Sequence, residues 1–292
     1  MRYLLVVGLL ILGVTSRAIA AECDPSDPDL LPPNLVAQPP TKVRVLQSYN
    51  NRRIIFTTTV GNVGKGPLIL KGDTVQTPSG PVTQGTQIVW RKDGTTCEHI
   101  AGYFVFHPSH HHWHVNDFAA YELRKDDPFT GQLMAKSDKV SFCLIDITSL
   151  RGYANAPRQV DADCLNQEGV QGISVGFADV YDSFLPDQWI DVDQAGPNTV
   201  PAGEYFLVNV ADPDSLLIET SDSPQDRAGV VSVGVPNLIA SGPPAPTPGP
   251  GNHPGHPQHP THPTHVPGGP QSTPRPGPQH PEHPQHPTPL PR

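Results

Sequence analysis

Between residues 42 and 235 the chain breaks into short runs of β-branched and aromatic residues. They are KVRVLQ (42–47), RRIIFTTTV (52–60), PLILK (67–71), QIVWR (87–91), YFVFH (103–107), KVSFCLIDI (139–147), EYFLVNV (204–210) and GVVSVGV (229–235). Such side chains fit a pleated, half-buried surface, and turn signals such as GNVGKGP, KDGT and NTVPAG separate the runs. No apolar period of 3.6 lasts long enough to suggest a useful helix. Strands without alternating helices predict a mainly β fold, a sandwich-like or barrel domain. The stretch 148–203 reads as long loops, which usually carry function or disulfides.

Both ends of the chain stand outside that pattern. The first 21 residues, MRYLLVVGLLILGVTSRAIAA, place Arg2 before an apolar run from Leu4 to Val14 and the small-residue site Ala18-Ile19-Ala20. This is the pattern of a secretory signal peptide, and the run is shorter than the roughly 20 residues a bilayer demands. A secreted, extracellular or cell-surface protein is expected, with no membrane attachment once the leader is removed. From Gly242 to Arg292 the chain holds 19 of its 37 prolines and 8 of its 14 histidines. A segment with so little apolar surface cannot offset its ordering entropy, so 242–292 reads as a disordered, polyproline-rich tail able to take extra metal ions. Residues 22–241 remain for a single domain. The net charge of −9 argues against a nucleic-acid partner, because phosphate binding needs a basic face. Four cysteines in the exported part predict two disulfides, with three connectivities open at this point.

The chemistry concentrates in FHPSHHHWHVNDF (106–118). On an extended strand His110, His112 and His114 share one face while His111 and Trp113 take the other. Three imidazoles at this spacing converge on one ion if the strand curves. A lone histidine would be an ordinary surface residue, but three in this order favour a metal, and imidazole suits copper, zinc, iron and nickel. No HExxH is present, and no cysteine completes a structural zinc pattern. An all-histidine site with open positions fits copper and oxygen chemistry.

HPSHHHWHVNDFAAYELR resembles the copper-binding stretch of the lysyl oxidases, and three further segments resemble that family in the same order. They are KVSFCLID (139–146), QGISVGFADVYDSFLPDQWID (171–191) and GEYFLVNVADPDSLLIETSD (203–222). The resemblance spans about residues 42–236. It implies a β-rich catalytic domain with one copper on His110, His112 and His114, and a lysyl tyrosylquinone cofactor made from Lys139 and Tyr181. It further implies oxidation of primary amines, peptidyl lysine or small amines, to aldehydes, consuming dioxygen and releasing hydrogen peroxide and ammonia. Apart from the resemblance, Lys139 would be a solvated charge at a strand start and Tyr181 a packing residue.

The departures from the family carry their own expectations. Animal members have more cysteines than the four here, and Ser109 stands where one precedes the copper histidines. Cys143 and Cys164 thereby lose their family partners, which implies the pair Cys143–Cys164 and leaves Cys23–Cys97. His107 matches a family histidine and His111 does not. Asp117 and Asp182 are candidate catalytic bases, and one residue fewer after the copper histidines bears on Asp117 and Tyr121. The competing reading is a protein of the same fold that sequesters copper without turning over amines.

Overall fold

The computed structural model describes residues 21–48, 51–193, 199–221 and 223–239. The leader read over 1–21, apart from Ala21, and the Pro/His-rich tail 242–292 lie outside them. The described chain is mainly β, with one short helix, Pro224–Arg227. Its strands divide among three sheets rather than the two of a simple sandwich.

The first sheet runs Val170–Ile173, Leu68–Thr77, Gly80–Arg91, Thr96–His107 and His112–Val115, with Leu30–Leu31 beside Gly80–Arg91. The second runs Gln132–Lys136, Ala119–Lys125, Gly203–Ala211 and Ala228–Val235. The third is built on the long strand Asn51–Asn62. Phe177–Tyr181, Trp189–Asp191, Leu35–Ala37 and Thr41–Ser48 all pair with it, and Thr148–Ser149 extends it. Strand pairings within the sheets are antiparallel. That suits a chain whose strands are joined by turns rather than by crossover helices.

One core joins the sheets. Leu35, Ile54 and Phe56 meet Leu68, Leu70 and Phe104 from the first sheet and Tyr121, Leu123 and Leu207 from the second. Burying each large apolar side chain contributes roughly 1.5–3 kcal/mol. A smaller cluster of Cys23, Leu30, Val89, Cys97 and Ile218 surrounds the Cys23–Cys97 disulfide. That disulfide fastens the start of the domain to the strand that leads into the histidines.

The segment 139–147, expected as a strand, is extended but makes only an isolated bridge, Phe142 with Val115. Its polar backbone groups are satisfied by side chains and single contacts instead of a ladder. The Cys143 amide donates to Tyr181 Oη at 2.6 Å and the Leu144 amide to Gln171 Oε1 at 3.1 Å. The Leu144 carbonyl accepts from the Gly172 amide. Buried backbone groups must be paired, and here they are paired without a neighbouring strand.

A candidate copper and quinone centre

His112 and His114 lie on the strand His112–Val115, while His110 precedes it in the turn that leaves Thr96–His107. This corrects the expectation of one continuous strand. The chain reverses at His111, whose φ of 58° is left-handed. His111 is exposed by that turn, whereas His110 is folded back over its neighbours. Cross-strand pairing then sets His107 directly opposite His112. Convergence comes from a hairpin, not from a curved strand.

The strand is held on its other side by three contacts. The Val115 and Phe142 backbones exchange hydrogen bonds of 2.8 and 3.0 Å, and the Trp113 amide donates to the Cys164 carbonyl at 2.8 Å. The Trp113 carbonyl accepts from Gln171 Nε2 at 2.9 Å. Cys143 and Cys164 are disulfide-bonded, so one covalent link ties the two segments that grip the histidine strand.

Donor atoms of His110, His112 and His114 all lie within 4.8 Å of one another. His114 is fully buried, with Nδ1 against Ser141 Oγ at 3.2 Å. The Nε2 atoms of His110 and His114 are buried and have no hydrogen-bond partner. Buried polar atoms are normally paired, so two such nitrogens facing one small volume mark a ligand position. A donor set of three imidazoles suits copper. The residues present therefore fit the ion. Burial, followed by the nearby Lys139 charge, lowers His114 to about 2 and His110 to about 4. Burial also lowers His112. All three are thus held neutral, as a metal ligand must be.

Lys139 and Tyr181 come together next to these histidines. Tyr181 ends the strand Phe177–Tyr181, paired with Thr58. Its hydroxyl donates to the Cys143 carbonyl at 2.9 Å and accepts from the Cys143 amide. Burial and the neighbouring Asp179 push the phenol well above its ordinary range. Lys139 is 4% exposed, not a solvated charge. Its Nζ has no hydrogen-bond partner and lies 5.0 Å from the Tyr181 ring centre and 5.1 Å from that of Phe142. Desolvation lowers it to about 8. An unpaired amine held beside a tyrosine ring fits the precursors of a lysine–tyrosine cofactor.

The proposed bases are placed differently. Asp182 pairs with Lys42 and is held below the usual carboxylate range by that contact. Asp117 accepts a 2.6 Å hydrogen bond from Asn116 Nδ2. Tyr121 is buried with its hydroxyl 2.7 Å from Thr58 Oγ1. Two further carboxylates, missed in the sequence, lie beside Tyr181 and the histidines. Asp179 is two residues before Tyr181, on the same strand face. It lines a small cavity of about 10 Å³ with Tyr121, Phe142 and Tyr181. Its Oδ2 is buried without a partner, and burial raises it well above the ordinary carboxylate range. The alternation in FADVY was the signal that could have found it. Asp187 reaches the histidines from a left-handed residue, φ 62°, and nothing in the sequence announced that.

The β domain thus sets three histidines, His114 fully buried and His110 and His112 partly so, beside a lysine–tyrosine pair. Residues 91–226 match the family model for lysyl oxidase, and the relatives that the chain resembles carry the same family name. The chain is similar to lysyl oxidase homolog 2 of Gallus gallus, 34% identical over 121 residues, covering 41% of this chain and 14% of that protein. It is similar to lysyl oxidase homolog 1 of Homo sapiens, 32% identical over 116 residues, 39% of this chain and 18% of that protein. Lysyl oxidase homolog 4 of Mus musculus is 31% identical over 123 residues, 41% of this chain and 14% of the relative. The chain thus matches less than a fifth of the length of these relatives.

Proposed function

We propose that the domain is a secreted, copper-dependent oxidase of primary amines, with Lys139 and Tyr181 as precursors of its quinone cofactor. Its net reaction takes a primary amine, dioxygen and water to an aldehyde, ammonia and hydrogen peroxide. The observation that carries the reading is the unpaired Lys139 amine, buried against the Tyr181 ring and close enough to the histidines to lower them. Copper with dioxygen supplies the oxidation of the tyrosine ring, and the quinone, once present, supplies the electron sink for amine oxidation.

The chain's own residues prepare that chemistry. His110, His112 and His114 hold the ion, and Ser141 fixes the His114 ring from its far side. The Cys143 backbone grips the Tyr181 oxygen by both its amide and its carbonyl, which sets the ring's orientation. Phe142 packs edge-on against Tyr181 at 4.8 Å, with its ring centre 5.1 Å from the Lys139 amine. A Lys139 lowered to about 8 carries a useful fraction of neutral, nucleophilic amine near neutral pH. Asp179 is the nearby carboxylate able to hold a proton released there. The two disulfides agree with an oxidising compartment.

Copper-loaded protein offered a panel of lysyl peptides, free lysine and polyamines should release peroxide with at least one of them and stain for quinone. Copper binding with neither quinone nor peroxide would favour sequestration over catalysis.

A further inference from the structure

Beside the three proposed copper ligands lies a second donor set that shares one of them. His107 Nε2 faces Asp187 Oδ2 at 3.9 Å. Donor atoms of His107, His110 and Asp187 fall within 4.8 Å of one another, the same limit that encloses His110, His112 and His114. The rings lie close together as well, tilted against one another. His107 lies 4.3 Å from His110 and 4.7 Å from His114, centre to centre. Ser109 Oγ sits 3.0 Å from His107 Nδ1, which leaves Nε2 as the nitrogen turned toward Asp187.

The two sets differ in depth and in charge. His114 is fully buried, while the side chains of His107 and Asp187 are 20% and 45% exposed. The inner set is three imidazoles, and the outer one includes a carboxylate. A divalent ion entering from solvent meets Asp187 and His107 before it meets His114. The Lys139 ammonium opposes that entry, since its charge disfavours positive charge on His107, His110, His112 and His114 alike. Asp187 acts in the opposite sense on His107 and His110. Donors about 2 Å from a shared ion stand roughly 3–4 Å apart, so a 4.8 Å spread closes with small side-chain rotations.

We infer that His107, His110 and Asp187 form an outer loading site for Cu(II), from which the ion passes to His110, His112 and His114 with His110 retained as a ligand throughout. The inference rests on the inner triad being the copper site. The transfer is a ligand exchange with no change of oxidation state. Bonds to His107 and Asp187 break as bonds to His112 and His114 form, and no proton moves between neutral imidazoles. Sharing His110 removes the need for the ion to return to water between sites.

The test uses the full chain stripped of metal with a chelator and then offered Cu(II) glycinate. The three tryptophans are Trp90, Trp113 and Trp189, and none lies in the histidine-rich tail. Trp113 stands between His112 and His114 and Trp189 is two residues from Asp187, so quenching of tryptophan fluorescence by Cu(II) follows arrival of the ion at the histidine centre rather than its capture by the tail. Asp187→Asn removes the charge while keeping a residue that tolerates the left-handed backbone. It should load about tenfold more slowly, the scale expected for loss of electrostatic steering, and reach the same final quench. His107→Gln should also load slowly, and added salt should narrow the gap between Asp187→Asn and the parent. Equal loading rates for the parent and Asp187→Asn would overturn the loading site while leaving the inner site intact. A lost final quench in Asp187→Asn would make Asp187 a resident ligand and overturn the two-step order. A parent chain that shows no quench at all would sink the inner copper site and the loading site together.

Discussion

Lys139 Nζ stands 5.0 Å from the centre of the Tyr181 ring, and both residues are buried, at 4% and 9% exposure. The fold holds an amine there that gives it no hydrogen bond in return. Cation–π attraction from Tyr181 and Phe142 recovers part of the cost. The rest shows as the fall of Lys139 from 10.5 to about 8. An unfolded lysine keeps its proton to higher pH than this one, so the unfolded chain binds more protons between about pH 8 and 10.5. Precursor stability should therefore rise with pH across that window and carry its full penalty below pH 8.

Lys139→Met should consequently stabilise the metal-free precursor at pH 7, by on the order of 3 kcal/mol. The same variant should lose quinone staining and amine oxidation. Urea unfolding of parent and variant at pH 7 measures the first effect. A variant no more stable than its parent would mean that the ammonium is solvated in the folded protein.

Tyr181→Phe removes the oxygen that both the Cys143 amide and the Cys143 carbonyl use. It should abolish quinone formation while copper still binds. It should also cost about 1–3 kcal/mol, because a buried donor and acceptor lose their partner together. Peroxide release from amines by this variant would point to another redox centre.

His112→Ala takes out the histidine that pairs across the hairpin with His107 and supplies one of the three inner donors. Copper affinity, read by competition with a chelator through tryptophan quenching, should fall roughly a hundredfold or more, beyond what loss of a residue supporting a ligand costs. Unchanged affinity would remove His112 from the ligand set.

The long strands were legible because their side chains do the work of specifying them. RRIIFTTTV sits inside Asn51–Asn62 and EYFLVNV inside Gly203–Ala211, where β-branched residues line a ladder. KVSFCLIDI has the same composition and forms no ladder. Its backbone partners are the side chains of Tyr181 and Gln171 and single backbone groups such as those of Val115 and Gly172, all distant in sequence, and local propensity carries no trace of them. The shorter strands Ala119–Lys125 and Phe177–Tyr181 hide among polar residues for a related reason, since their pairing comes from the sheet they join. The histidine triad was visible as residue types, but its geometry was not. The left-handed turn at His111, rather than the alternation of a strand, brings His110 over His112 and His114.

Those neutral imidazoles set a limit on the acid stability of the metal-free protein. In the unfolded chain each titrates near 6.5, whereas burial lowers His110 to about 4 and His114 to about 2. Below pH 6.5 the unfolded state therefore takes up protons that the folded state refuses, and stability must fall as the pH drops. For His114, fully buried, the loss between pH 6.5 and 5 should be about 2 kcal/mol. His110 adds a contribution that stops growing near pH 4. The midpoint of urea unfolding of the metal-free protein should decline steeply from pH 7 to pH 5, and His110→Gln should make that decline shallower. Because the ligands are already unprotonated, copper uptake at pH 6 should release fewer protons than three imidazoles of ordinary pKa would. A metal-free protein equally stable at pH 7 and pH 5 would mean that the histidines accept protons in the folded state. The neutral state of His110 and His114 would then be wrong.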